Sequence, residues 1–284
     1  MKSVSPVKAS VVVAALLAAA LFAGGAHSAQ PAEAYTPSVG QEGKDVIWVP
    51  TPQALVERML TVAKVTPGDF VVDLGSGDGR TVITAAKKFG ARALGLEFNP
   101  DMVALSKRNA EKEGVADRAQ FQRADIFATD FSSATVVTMY LLPSLNLKLR
   151  PTLLAMKPGT RIVSHAFTMD DWGPDQTENV EGRTAYLWIV PAKAEGSWHI
   201  DLAGANPSRY DVDLKQKYQV LEGQVRSAGN VLPIREGKVR GEEVTFTVGE
   251  GAGARTFTGR LNGDRMEGTS KASSETKFVG TRAK

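Results

Sequence analysis

From residue 46 to about residue 166 the chain alternates two hydrophobic textures. Short runs rich in apolar residues occur at Phe70–Leu74, Ala93–Leu96, Ala134–Leu141 and Thr160–Ala166, with a more polar one at Ala119–Ala124. Their length and content of β-branched residues predict buried strands. Between them, apolar positions return every third or fourth residue. Leu55, Val56, Met59, Leu60 and Ala63 form one such stripe, and Thr81–Phe89, Asp101–Gly114 and Ser144–Met156 give three more predicted helices. Thr51, followed by Pro52, is placed to cap the first of these, and Asn99, followed by Pro100, to cap the third. Strands alternating with helices predict a mainly parallel α/β sheet with right-handed crossovers. The texture then changes. Thr184–Val190 and Ser197–Leu202 predict a hairpin joined through Pro191–Gly196, an antiparallel edge to that sheet. Beyond Gly204 only short alternating runs remain, at Tyr218–Val225, Glu243–Val248, Arg255–Leu261, Arg265–Ser270 and Lys277–Thr281, with the turn Asn262-Gly263 among them. A small all-β antiparallel barrel or sandwich is expected over 204–284, after an α/β domain over 46–203.

The N-terminus has its own pattern. Lys2 and Lys8 precede an uncharged apolar run from Ala9 to Ala26, and Ala26-His27-Ser28 offers small residues for a cut. Basic start, apolar middle and small-residue exit predict a signal peptide over 1–28, hence export to a bacterial periplasm or envelope. An uncleaved N-terminal anchor is the alternative, and residues 29–45, with Pro31, Pro37, Gly40 and Gly43, read as a linker. Composition adds little to this except through charge and sulfur. Removing Lys2 and Lys8 from the 34 basic residues leaves 32 against 31 acidic ones, so the net charge of +3 falls to +1 and gives no argument for a nucleic-acid partner. Cysteine is absent, which excludes disulfides, thiolate nucleophiles and cysteine metal ligands. With His165 and His199 the only histidines after the leader, no metal site is expected.

The candidate chemistry begins at Asp73-Leu74-Gly75-Ser76-Gly77-Asp78-Gly79-Arg80, directly after the first strand. Strand, glycine turn and helix is how α/β proteins present a backbone to a nucleotide-like ligand. The G-x-G-x-G spacing, with an acid two positions before the first glycine, resembles the S-adenosylmethionine (SAM) loop of class I methyltransferases. In that reading Gly75, Ser76, Gly77 and Gly79 let the backbone approach the cofactor, and Asp73 takes its ammonium. Glu97, ending the second strand, is placed to bind ribose hydroxyls. Asp125, ending the third, is placed to accept from the adenine amino group while Ile126 packs on the ring. Tyr140, after the fourth strand, is a candidate wall of the methyl-transfer funnel, though an aromatic there also suits the core. His165, ending the fifth, reads more simply as a buried structural histidine than as a base. The Asn-Pro-Pro-Tyr/Phe motif of enzymes that methylate adenine, cytosine or glutamine is missing, and so are phosphate-loop, nucleophile-elbow and zinc-protease motifs.

Taken together, Val49-Pro50-Thr51-Pro52, the DLGSGDGR loop, Gly95-Leu96-Glu97-Phe98-Asn99-Pro100, Tyr140-Leu141-Leu142-Pro143 and Lys157-Pro158-Gly159-Thr160-Arg161-Ile162-Val163-Ser164-His165 resemble one group. It is the class I protein-lysine methyltransferases that act on the mitochondrial adenine nucleotide translocase and the ATP synthase c-subunit, with their bacterial relatives. The likeness covers roughly residues 46–202. It implies a Rossmann-like sheet, SAM as cofactor, a protein lysine ε-amine as acceptor, a membrane-associated protein as substrate, and a role for the segment around Thr51 in closing the cofactor site. A small-molecule O- or N-methyltransferase with the same cofactor site is the alternative within enzymes. A non-catalytic exported binding module is the alternative outside them, because SAM is made in the cytoplasm.

Overall fold

The computed structural model describes residue 1 and residues 35–203 and 208–283. The leader over 1–28 and the first part of the linker therefore lie outside the described residues. The α/β domain contains α1 (Gln53–Val62), β1 (Phe70–Leu74), α2 (Arg80–Phe89), β2 (Arg92–Glu97), α3 (Pro100–Lys112), β3 (Ala119–Arg123), β4 (Val136–Met139), α4 (Pro143–Leu154), β5 (Arg161–His165), β6 (Gln176–Val180) and β7 (Arg183–Ile189). Its sheet runs in the order β3-β2-β1-β4-β5-β7-β6. The first five strands are parallel and β7 is antiparallel to both of its neighbours. Adjacent residues of β1 enter different cores. Val71 packs on the side of α1, with Leu55, Met59 and Leu60, whereas Val72 and Leu74 pack with Leu149 and Leu153 of α4. A strand covered on both faces favours apolar residues on both, which is why β1 reads as an apolar run broken only by Asp73. The strand order reverses between β1 and β4, so the carboxyl ends of β1, β2 and β4 open onto the crevice where ligands of such sheets bind.

Asn99 caps α3 as its sequence position predicts, its Oδ1 accepting from the Asp101 and Met102 amides at 2.9 and 3.3 Å. Thr51 does not cap α1, whose N-terminus carries no side-chain cap. Its hydroxyl lies 3.0 Å from His165 Nδ1 instead, and its carbonyl accepts from Arg80 Nη1 at 3.0 Å. Packing against the end of β5 has outweighed a local capping bond worth about 1 kcal/mol.

The second part is a closed eight-stranded antiparallel barrel. Its strands are β8 (Gly196–Leu202), β9 (Ser208–Lys217), β10 (Val220–Ser227), β11 (Asn230–Arg240), β12 (Glu243–Val248), β13 (Arg255–Asn262), β14 (Arg265–Lys271) and β15 (Glu275–Arg282). Each pairs with the next, and β15 closes the ring onto β8. The barrel is filled. Trp198, Phe246, Phe257, Phe278 and Met266 occupy its interior, with Phe246 and Phe257 stacked at 4.9 Å. Outward positions carry ion pairs such as Arg209–Asp201 and Arg226–Asp213. That polarity is opposite to the apolar outer band of a membrane barrel.

The expected hairpin of 184–190 with 197–202 is not formed. The edge hairpin is β6–β7, and β8 pairs with β9 and β15, so the second domain opens near residue 196 rather than 204. Both arrangements satisfy the same alternation of side chains. Only the barrel gives Trp198, Ile200 and Leu202 a closed interior to fill. From Pro37 onward the described chain packs as one compact unit.

Candidate active site

The glycine loop between β1 and α2 is held from three directions. The Gly75 and Ser76 amides both donate to Leu96 O of β2, at 2.8 and 3.1 Å, and the Gly79 amide donates to Ser76 O at 2.9 Å. The Gly77 amide donates to Glu97 Oε2 at 3.0 Å. From α3, Ser106 Oγ donates to Gly77 O at 2.8 Å and Asn109 Nδ2 to Asp78 O at 2.9 Å. These four amides are thus committed within the chain. What the glycines at 75, 77 and 79 offer a ligand is room and a fixed shape, since their φ values of 76, 55 and 84° are left-handed. The room is tightly bounded. A Cβ on Gly77 would stand 2.6 Å from the Trp48 indole nitrogen, and one on Gly79 would stand 2.7 Å from the Phe121 ring.

Above this loop lies a cavity of about 690 Å³, within the range of small-ligand sites. Asp73, Gly75, Ser76, Gly77, Glu97, Asp125, Ile126, Tyr140 and Thr51 all line it. Gly79 does not; it packs beneath the turn against Phe121 and Ser106. The cavity is also lined by Gln41–Asp45, which the sequence assigns to a linker, and by Trp48. This segment folds back on itself. Gly40 N donates to Trp48 O at 2.8 Å, Trp48 N to Gln41 O at 2.9 Å, and Glu42 bridges Ile47. It is anchored at the far end of the cavity by Lys44 Nζ, 2.7 Å from Asp125 Oδ2 and 4.9 Å above the Phe98 ring. The proline and glycine content marks the segment as irregular. Its partners, 81 residues away in the case of Lys44 and Asp125, leave no local signal.

The three strand-end acids have different surroundings. Asp73 is 7% exposed and its Oδ1 accepts from Thr138 Oγ1 at 2.6 Å. Burial pushes its carboxyl up to about 7, against the opposing pull of the Thr138 and Thr81 hydroxyls, and the charges of Glu97 and Asp78 add to the rise. Glu97 is spent on two backbone donors, Gly77 N and, through Oε1, Asn99 N at 2.9 Å. Asp125 is open and paired; the hydrogen bond from Lys44, then that from the Phe127 amide, holds its carboxyl below the usual range.

At the opposite end, Tyr140, Leu142, Leu145 and Phe167 form an apolar wall. His165 is 2% exposed and stands behind it, ring to ring with Tyr140 at 3.8 Å. Burial, helped by the charge of Arg183, lowers His165 to about 4, so it is neutral near pH 7. It braces Tyr140 and Thr51 and does not face the cavity, in line with a structural histidine.

The model of the ANTKMT methyltransferase domain family matches residues 73–176, from Asp73 at the end of β1 to the first residue of β6. A protein-lysine N-methyltransferase of Saccharolobus islandicus (strain REY15A) is 46% identical over 151 residues, which covers 51% of this chain and 94% of that protein. The chain belongs to the ANTKMT methyltransferase family. It is also similar to the Homo sapiens lysine N-methyltransferase of the ATP synthase c-subunit, at 34% identity over 142 residues, 49% of this chain and 60% of that protein. The chain thus spans less than two thirds of that relative. Among solved structures, an RNA methyltransferase from Salinibacter ruber in complex with S-adenosyl-L-homocysteine is 52% identical, with a TM-score of 0.50, covering 51% of this chain and 95% of that one.

As a member of the ANTKMT methyltransferase family, the protein is a SAM-dependent methyltransferase. Its own residues fit the cofactor. Three carboxylates suit an ammonium, a ribose and an exocyclic amine, the loop is a cradle that a Cβ on Gly77 would fill, and the Ser76 hydroxyl is buried without a partner among the described residues. SAM supplies a methyl group on a sulfonium, already activated for in-line displacement. The chain's task is to align the acceptor and exclude water. Asp73, once ionised, would hold a cation at the end of β1, Glu97 is fixed by its bond to the pinned loop, and the wall of Tyr140, Leu142, Leu145 and Phe167 would keep water from an acceptor at that end. Gly77→Ala is expected to weaken SAM binding about tenfold, because the new methyl group must displace the Trp48 indole; calorimetry with SAM measures the loss, and adding Trp48→Ala should recover part of it.

Proposed function

We propose that the protein methylates the ε-amine of a lysine in a membrane-associated protein outside the cytoplasm. The observation that carries the lysine reading is the acceptor wall. A primary amine with a four-carbon stem can lay its methylenes along Tyr140, Leu142, Leu145 and Phe167, and desolvation there lowers its pKa from about 10.4 toward the neutral, nucleophilic form. The names of the Saccharolobus and Homo sapiens relatives support the same acceptor. The membrane-associated part is favoured by exposed apolar side chains along the cavity lining, Ile47, Phe98 and Leu142 at 59, 42 and 44%, which suit an apolar partner. Export rests on the charge and apolar pattern of residues 1–28.

A second reading is an RNA acceptor, favoured by the description of the Salinibacter ruber structure. One experiment separates them. The purified protein is incubated with methyl-labelled SAM and separate membrane, soluble and RNA fractions, and the product is treated with protease or ribonuclease. Protease-sensitive label in the membrane fraction, recovered as methyl-lysine on hydrolysis, is the expected result. Ribonuclease-sensitive label would replace the lysine reading with the RNA one, and label confined to small molecules would remove both. Fractionation of a C-terminal fusion tests the export reading.

A further inference from the structure

The barrel touches the α/β domain at the segment that leaves the acceptor wall. After β5, residues 166–175 run past the cavity, with Phe167 in its lining. The segment contains two non-glycine residues in left-handed conformation, Ala166 at φ 64° and Asp170 at φ 58°. Such residues persist only where their surroundings over-determine them. Part of the hold comes from α4: Asn146 Nδ2 donates to the Phe167 and Thr168 carbonyls at 3.3 and 3.2 Å, and Arg150 Nη1 to Met169 O at 2.9 Å. The rest is shared between β7, where the Ala166 amide donates to Thr184 O at 2.8 Å and Trp188 Nε1 to Trp172 O at 2.7 Å, and the tip of the β9–β10 hairpin. Tyr218 stacks on the buried Trp172 at 5.9 Å and donates to Asp171 at 3.0 Å, while Gln219 Nε2 donates to Gly173 O at 2.6 Å. Lys217 and Lys238 pair with Asp171 and Asp175 at 3.1 and 3.2 Å. Tyr218 itself sits at φ 54°. Two left-handed turns therefore meet, and the segment that follows Phe167 is held in part by the other domain.

We propose that the hairpin tip, through Tyr218 and Gln219, positions Phe167 and so tunes engagement of the acceptor side chain while leaving the cofactor end unchanged. The tip would be a positioning element, since neither residue lines the cavity. The acceptor half of this inference rests on the lysine reading above; the holding of residues 166–175 does not.

The test uses the full chain with Tyr218→Ala, Gln219→Ala and, as the conservative control, Tyr218→Phe, which keeps the ring on Trp172. Three quantities are read: amide hydrogen exchange over 166–175, affinity for S-adenosylhomocysteine, and affinity for a bisubstrate probe joining adenosine to the ε-nitrogen of an N-acetyl-lysine amide. The expected result for Tyr218→Ala is exchange at least tenfold faster over 166–175. The advantage of the bisubstrate over S-adenosylhomocysteine should fall at least tenfold, S-adenosylhomocysteine affinity should stay within twofold, and Tyr218→Phe should be close to wild type. A lower melting temperature with unchanged exchange and an unchanged bisubstrate advantage would overturn the proposal, as the contact would then be stabilising only. If the wild type shows no advantage for the bisubstrate while exchange responds as expected, the positioning stands and the lysine reading falls. Should Tyr218→Ala fail to fold, Gln219→Ala carries the same measurements.

Discussion

Asp73→Asn is expected to weaken SAM binding by about a hundredfold and, at pH 8, to raise the stability of the cofactor-free protein. Both effects follow from one buried carboxyl. In the folded chain it titrates at about 7, against an ordinary value of 3.8. Between those values the folded protein holds a proton that the unfolded chain has released. Stability therefore falls as pH rises from about 4 to about 7, and the full cost is present above that. A shift of this size corresponds to roughly 4 kcal/mol, and Asn removes it while its amide oxygen can still accept from Thr138. Binding has the opposite sign. A cationic ammonium needs the carboxylate, so cofactor-free protein below pH 7 must first lose a proton. Wild-type affinity should drop about fivefold between pH 7 and pH 6, and the Asn variant should be flat over that range. Calorimetric titration with SAM at pH 8, 7 and 6, with melting curves of the cofactor-free proteins at pH 8, measures both. A variant that is less stable at pH 8 would show that Asp73 is not a source of strain.

Glu97→Ala should weaken SAM binding by about a hundredfold or more without unfolding the protein. The side chain anchors the Gly77 and Asn99 amides with its two oxygens. Hydrogen bonds to a charged group contribute about 1.5–3 kcal/mol each. Removing them frees the turn opposite Trp48 and the start of α3 together, besides removing the acceptor suited to ribose hydroxyls. Glu97→Gln separates these contributions. Its amide oxygen can accept from one of the two donors but its NH₂ can accept from neither, so a loss of roughly tenfold is expected. Calorimetry with SAM gives the ranking wild type, Gln, Ala. Equal affinities for wild type and Ala would remove Glu97 from the site.

The cofactor end was readable from the sequence because its information is local. Strand, glycine turn and helix lie within twenty residues, and Glu97 and Asp125 follow at the ends of the next two strands. Each could be placed by counting period and spacing. The acceptor end was readable only in part. Tyr140 stands beside its strand as expected, but Phe167 carries no signal in the chain; it follows the left-handed Ala166, and its carbonyl accepts from Asn146 of α4. Thr51 was legible as a helix cap and proved to be a partner of His165, 114 residues away. Lys44 looked like the end of a linker, yet it lines the cavity together with Trp48 and occupies one oxygen of Asp125.

The sequence by itself determined the parallel sheet with its helices and the SAM loop, because hydrophobic period and glycine spacing act within a few residues, but it left β6, β9 and β11 unassigned. Tertiary structure decided the rest. It assigned β8 to the barrel rather than to the edge of the sheet, since alternation sets which face of a strand is apolar and not which strand lies beside it. It folded residues 41–48 over the cofactor end and seated Tyr218 against Trp172. Those choices rest on contacts between segments far apart in the chain, where partner and direction are fixed by packing and no short-range pattern records them.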